Sequence, residues 1–156
     1  MIDNSAGIRM TMTPHLRPCQ LADLLRCVNR DGVQGADPQM AAHQLTAGPA
    51  FSAWEGERLV GCAGVGLLWP GVGHAWMVLP EAINGHGLWL TRAVARILGD
   101  IERAYGLHRL EATCLTDSPR NQKWLEVMGF HVEQAGTARK YLIDGRSVLR
   151  YERVRD

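Results

Sequence analysis

Apolar positions recur along this chain with two spacings, and the switches between them mark its elements. Residues 11–17 (T-M-T-P-H-L-R) read as a first strand, and Pro14 suggests a sheet edge. After Pro18 the spacing becomes helical over residues 19–28, with Leu21, Leu24, Leu25 and Val28 on one side. Residues 29–35 carry turn chemistry, and Asp37-Pro38 opens a second helix with aspartate at the N-cap and proline at N1. Residues 51–55 alternate as a strand, Gly56-Glu57 turns, and residues 58–69 return antiparallel. Gly61, Gly64 and Gly66 weaken that strand locally and permit a bulge or close backbone packing.

The apolar run 75–79 is too short for a helix and reads as a buried strand stopped by Pro80. A polar loop ending in Gly85-His86-Gly87 follows. A long amphipathic helix then places Leu90, Val94, Ile97, Leu98, Ile101 and Tyr105 on one side, with Arg92, Arg96, Asp100 and Arg103 elsewhere. Residues 109–115 alternate as a strand with Leu110, Ala112 and Cys114 on one face. Ser118 and Pro119 start another helix, with apolar spacing at Trp124, Leu125, Val127 and Met128 and Gly129 as its C′ residue. A strand resumes at 130–133, and residues 140–143 and 147–151 are expected to pair about the turn Asp144-Gly145. The predicted order is β-α-α-β-β-β-α-β-α-β-β, an α/β chain whose mixed sheet is flanked by helices. Residues 1–10 read as a loose tail and 11–156 as one domain.

Charge narrows the partners. Seventeen Lys and Arg against sixteen Asp and Glu leave no bulk field to attract nucleic acid or a membrane surface. Residues 59–80 contain no Asp, Glu, Lys or Arg, a length that could span a bilayer. Trp69-Pro70-Gly71-Val72-Gly73 interrupts that run, so two buried strands joined by a turn explain it better. The four cysteines (Cys19, Cys27, Cys62, Cys114) form no C-x-x-C pair and no secretory leader is evident, which suggests buried thiols in a reduced, cytoplasmic protein. The histidines have no metal-ligand spacing, so no metal is expected.

Strand, glycine loop and helix together point free backbone N–H groups and a positive dipole end beyond the strand, an arrangement that suits a phosphate. Two glycines before a helix are also ordinary loop chemistry. A Rossmann fingerprint would need a glycine at Leu90, and no Gly-Lys-Ser/Thr triplet supplies a Walker loop. What remains is V-x-P-x-x-x-x-G-x-G at residues 78–87, which resembles the acyl-CoA loop of the GNAT superfamily of N-acetyltransferases. The opening L-R-P-C-Q-L-A-D-L at 16–24 and the ending W-L-E-V-M-G-F at 124–130 resemble the same family, so the likeness covers roughly residues 16–154.

That resemblance implies the GNAT fold, with acetyl-CoA as cosubstrate and a small-molecule or protein amine as acceptor; it allows a homodimer. It implies that the strand before the loop splays from its neighbour and that main-chain groups of Met77, Val78 and Leu79 hold the pantetheine arm. The loop amides of Asn84, Gly85, His86, Gly87, Leu88 and Trp89 would take the pyrophosphate, with small residues at Gly85 and Gly87 where it approaches. Ser118, or Asn121 one turn on, stands for the asparagine usual at the start of the later helix. Substrate specificity would sit in the first two helices and their linker. Three departures matter: Ala82 replaces an Arg or Gln, Trp89 replaces a glycine, and Leu125 occupies the position of the tyrosine that protonates the leaving thiolate in many members. The substitute acid–base candidates are Glu81, His74 and Cys114, with Glu111 and Asp117 bracketing the next strand. Arg92, Arg96, Arg120 and Lys123 could reach the CoA phosphates or simply face solvent. Similar W-L-x-x-x-G-F endings in GNAT-like proteins of tailed phages keep a second expectation open: a weakly active or inactive virion or host-interaction component. A CoA-binding regulator is the third.

Overall fold

The computed structural model describes residues 14–30, 38–79 and 87–156. Its elements are β1 (Pro14–Pro18), α1 (Leu21–Arg30), α2 (Pro38–Thr46), β2 (Ala50–Glu55), β3 (Arg58–Trp69), β4 (Val72–Val78), α3 (Gly87–Ala104), β5 (Arg109–Leu115), α4 (Pro119–Val127), β6 (His131–Ala138) and β7 (Val148–Val154). This is the order expected from the sequence. The strands form one seven-stranded sheet in the order β1-β2-β3-β4-β5-β7-β6. Neighbours run antiparallel except β4 and β5, whose parallel pairing is made possible by the crossover through α3. β1 is an edge strand, where Pro14 and Pro18 are tolerated.

Strand alternation divides the core between two sheet faces. On one, α1 and α2 pack Leu24, Cys27, Val28 and Ala41 against Trp54, Leu59 and Cys62, with Trp76 and Val78 at the margin. On the other, α3 and α4 bring Leu98, Ile101, Met128 and Phe130 onto Val65, Leu110, Ala112, Cys114 and Tyr151. Removing a side chain such as Phe130 or Leu110 from water contributes about 1.5–3 kcal/mol each.

The helix boundaries have local causes. Asp23 Oδ2 accepts the Gln20 backbone N–H at 3.1 Å, which caps α1, and also accepts from the fully buried Ser52 Oγ at 3.2 Å. α4 ends in a Schellman turn: Gly129 at φ +85° donates to Glu126 O at 2.9 Å and Phe130 donates to Leu125 O at 3.0 Å. The Gly-Phe pair read from sequence is therefore a helix stop followed by a core anchor. Gly61 and Gly64 serve close packing: a Cβ on Gly61 would lie 2.4 Å from Leu79 Cδ2, and one on Gly64 would lie 2.7 Å from the Trp76 ring.

Several expectations need correcting. Residues 140–143 are not a strand: Lys140 sits at φ +50° with its N–H on Ser147 Oγ, and Tyr141 and Ile143 are exposed. β7 lies between β5 and β6, and β6 runs on to Ala138 past an irregularity between Val132 and Thr137. Ser118 is the N-cap of α4 by position but makes no side-chain cap bond; Gln122 Nε2 instead donates to Leu115 O and Thr116 O at 2.9 and 3.0 Å. Leu21, Tyr105 and Val127, assigned to apolar helix faces, are exposed. β4 starts at Val72, three residues earlier than the apolar run suggested. Residues 11–13, Asp37 and Pro80 lie outside the described residues. No described helix is long and apolar enough to cross a membrane.

Candidate active site

The parallel pairing of β4 with β5 covers only Val72, Gly73 and His74 against Arg109, Leu110 and Glu111. Beyond that point residues 75–78 of β4 remain in register with β3, and residues 112–115 of β5 remain in register with β7. The two central strands thus part into a fork after His74. Backbone groups on the facing edges of a fork have no ladder partner and must find another, which makes it a site for an extended polar chain.

Of the residues expected to hold a cofactor, Met77, Val78 and Leu79 lie on the β4 arm. All three are partly buried: Val78 packs toward α1, Leu79 toward α3. Glu81, Asn84, Gly85 and His86 lie outside the described residues. Gly87 is the first residue of α3, an 18-residue helix. It has no positive φ, and a Cβ built on it meets nothing within 4 Å. Among the described residues, neither backbone conformation nor packing requires glycine there. Leu88 is exposed beside it.

Trp89 packs against the cluster of Ala53, Val60 and Leu90 and lines a groove of about 550 Å³ on the β1–β2 side of α3. Arg92 and Arg96 line the same groove, so these two arginines are not brought to the fork. On the α4 side, Trp124 Nε1 donates to Thr91 Oγ1 at 2.9 Å, and Thr91 Oγ1 donates to Gly87 O at 2.7 Å. This strut, not anticipated from the sequence, ties α4 to the first turn of α3. Lys123 pairs with Glu126 at 3.0 Å, and Asn121 is exposed in the first turn of α4.

The acid–base candidates separate by environment. His74 is the last paired residue before the fork, in register with Glu111 on β5 and Gly66 on β3. Burial lowers its pKa, opposed by the Glu111 carboxylate and reinforced by Arg150. It is thus a neutral imidazole at neutral pH, capable of taking a proton. Cys114, on the β5 arm, is 7% exposed and lies 3.9 Å from Ser118 O. Burial, and then the Asp117 charge, raise its pKa, so it is a protonated thiol and a poor nucleophile. Tyr151 of β7, in register with Ala112, is also held protonated by burial and by the proximity of Cys114 and Glu126. Leu125 packs against the core, and no hydroxyl comes from that position. Among the described residues, no group of three His, Cys, Asp or Glu side chains could hold a metal ion.

A charged network covers the sheet face beyond His74. Arg109 binds Glu111 at 3.1 Å, Glu133 at 2.6 Å and Glu152, while Arg150 lies 3.4 Å from Glu133. These side chains come from three strands, which is why sequence spacing did not reveal them. At the far end of α3, Glu102 is 3% exposed and pairs with Arg153 at 3.1 Å and with Arg155 at 3.7 Å. Arg153 also donates to Met128 O, so one guanidinium joins α3, α4 and β7.

No family model matches the chain, and no curated protein matches it. Solved structures do. The chain is similar to an IAA acetyltransferase from Bacillus cereus, with 13% identity over 92% of this chain and all of that one, at a TM-score of 0.73. It is similar to ribosomal-protein-S5-alanine acetyltransferase from Vibrio fischeri, with 19% identity over 92% of this chain and 93% of that one, at a TM-score of 0.70. A variant of spermidine N-acetyltransferase SpeG from Vibrio cholerae shares 15% identity over 90% of this chain and 94% of that one, at a TM-score of 0.69. The chain has the GNAT acetyltransferase fold.

Proposed function

We propose that this protein is an acyltransferase that moves an acetyl group from acetyl-CoA to an amine. The observation carrying the proposal is the fork after His74, set beside a helix that starts at an unconstrained glycine. The pantetheine arm, an extended chain of amides, would lie along the β4 arm at Met77, Val78 and Leu79 and complete its ladder. The pyrophosphate would meet the loop and the N-terminus of α3 at Gly87 and Leu88, where N–H groups and the helix dipole favour negative charge. The acceptor amine would come from the α1–α2 face, where His74 removes its proton directly or through water. The acetyl carbonyl carbon then forms a C–N bond and loses its C–S bond. The thiolate leaves without a dedicated acid and takes its proton from water; a thiol's pKa of about 8.5 makes it a good leaving group.

Named neighbours act on a ribosomal protein's alanine and on spermidine, which supports an amine acceptor as a class. Leu125 favours a second reading, a GNAT-fold protein that binds CoA with little turnover. Titration with acetyl-CoA in the presence of spermidine, an alanine-terminated peptide and free amino acids separates the two, with released thiol as the readout. Binding with thiol release supports the transferase. Binding without release supports the regulator, and no binding removes both.

A further inference from the structure

The groove beside α3 has no part in the reaction outlined above, and its two walls differ in chemistry. A single stripe of α3 contributes Trp89, Ala93 and Ile97 together with the exposed Arg92 and Arg96, because residues three and four apart share a helix face. Leu16 and Pro18 of β1 and Phe51 of β2, which is in register with Pro18, supply the other wall. β1 is the edge of the sheet, and among the described residues no strand lies beyond it to close the groove. A volume of about 550 Å³ falls within the range of roughly 300–1,000 Å³ usual for small-molecule sites.

The charges in this groove are unbalanced. Asp100 also lines it but pairs with Arg103, which does not. Arg17 is taken up elsewhere: its guanidinium lies 4.7 Å from the centre of the Trp54 ring and its Nε donates to His15 Nε2 at 3.0 Å. Among the described residues, the side chains of Arg92 and Arg96 make no ion pair or hydrogen bond. They are four residues apart on one helix face, so both guanidiniums reach the same stretch of groove. We propose that the groove binds a small organic anion, with its carboxylate, sulfonate or phosphate held by Arg92 and Arg96 and its aromatic or aliphatic body against Trp89, Phe51 and Leu16. Guanidiniums suit such groups because their planar N–H forks match the oxygens, and the apolar wall takes the rest of the molecule out of water. A free small molecule fits better than an added peptide strand, since Pro14 and Pro18 remove N–H donors from the β1 edge. This inference does not rest on the transferase reading.

The test titrates the full chain with anilinonaphthalene sulfonate, an aromatic body with one sulfonate, and follows its fluorescence with and without excess CoA. One saturable site is expected; decanoate should displace the probe, and CoA should leave it in place. Arg92→Gln/Arg96→Gln should weaken binding of this probe at least about tenfold without changing the melting temperature. N-phenylnaphthylamine, the same rings without the sulfonate, should bind the double variant and the unsubstituted chain equally. Ala93→Phe, which fills the groove, should weaken both probes. No saturable binding, unchanged affinity of the double variant for the sulfonate probe, equal losses of both probes in that variant, or displacement by CoA would each overturn the proposal. So would a double variant that turns from dimer to monomer in sedimentation, because the groove would then belong to a second copy of the chain.

Discussion

Replacing Gly87 with aspartate separates a binding role from a structural one, because the two effects have opposite signs. None of the described residues lies within 4 Å of a Cβ at this position and the backbone is not left-handed, so the side chain meets no described neighbour. Aspartate at the first position of α3 meets the positive end of the helix dipole, worth about 0.3–1 kcal/mol. The melting temperature should stay level or rise by roughly 2–4 °C. Toward a diphosphate of about two negative charges at roughly 5 Å, the same carboxylate is repulsive by about 1.7 kcal/mol even at the dielectric constant of water, and by more in partial burial. Acetyl-CoA affinity should therefore fall at least about tenfold at low salt, measured by isothermal titration beside a thermal melt. Gly87→Asn, similar in size but neutral, should lose much less. Equal affinities for the two variants and the unsubstituted protein would refute the placement of the pyrophosphate.

Other consequences follow from particular contacts. His74→Gln should lower kcat/KM by about 10²–10⁴ and abolish an acid limb whose pKa lies below about 6.5, readable in a pH–rate profile. Because the folded protein lowers the His74 pKa, it binds fewer protons there than the unfolded chain does. That stability should be complete above about pH 6.5 and be lost as pH falls through the folded value, a dependence that denaturant titrations of His74→Gln should no longer show. Arg153→Met leaves the 3%-exposed Glu102 with the more distant Arg155 and should cost roughly 3 kcal/mol in urea unfolding; no change would mean that the pair is not coupled. Gly64→Ala sets a methyl 2.7 Å from both Pro49 O and the Trp76 ring and should cost about 1–3 kcal/mol, with a shift in tryptophan fluorescence.

What was legible in the sequence follows from how local each signal is. β3 and β5 were bounded to the residue because alternation and turn residues sit within them, as with Gly56 at φ +58°. β6 was mostly missed because an edge strand reading H-V-E-Q-A-G-T-A has no continuous apolar face. Tyr141 and Ile143 imitated strand alternation on an exposed turn. Gly87 at the start of α3 could be read directly from the helical pattern that follows it, whereas the fork was implied only by the family resemblance. It is an end of pairing between residues far apart in sequence, as Val72 is from Arg109, set by where β4 leaves β5 while β5 stays with β7. The environment of His74 comes from Glu111 on β5 and Arg150 on β7, and the Cys27–Cys62 contact joins α1 to β3. Spacing along the chain contains neither.

Hydrogen–deuterium exchange with and without acetyl-CoA tests the central claim most directly, because the fork is defined by main-chain groups without a ladder partner. Amides of residues 75–79 and 87–90 should gain protection on addition of acetyl-CoA, while those of α2 and β6 stay unchanged. Protection confined to the groove lined by Arg92 and Arg96, or no protection at all on the β4 arm, would contradict the account.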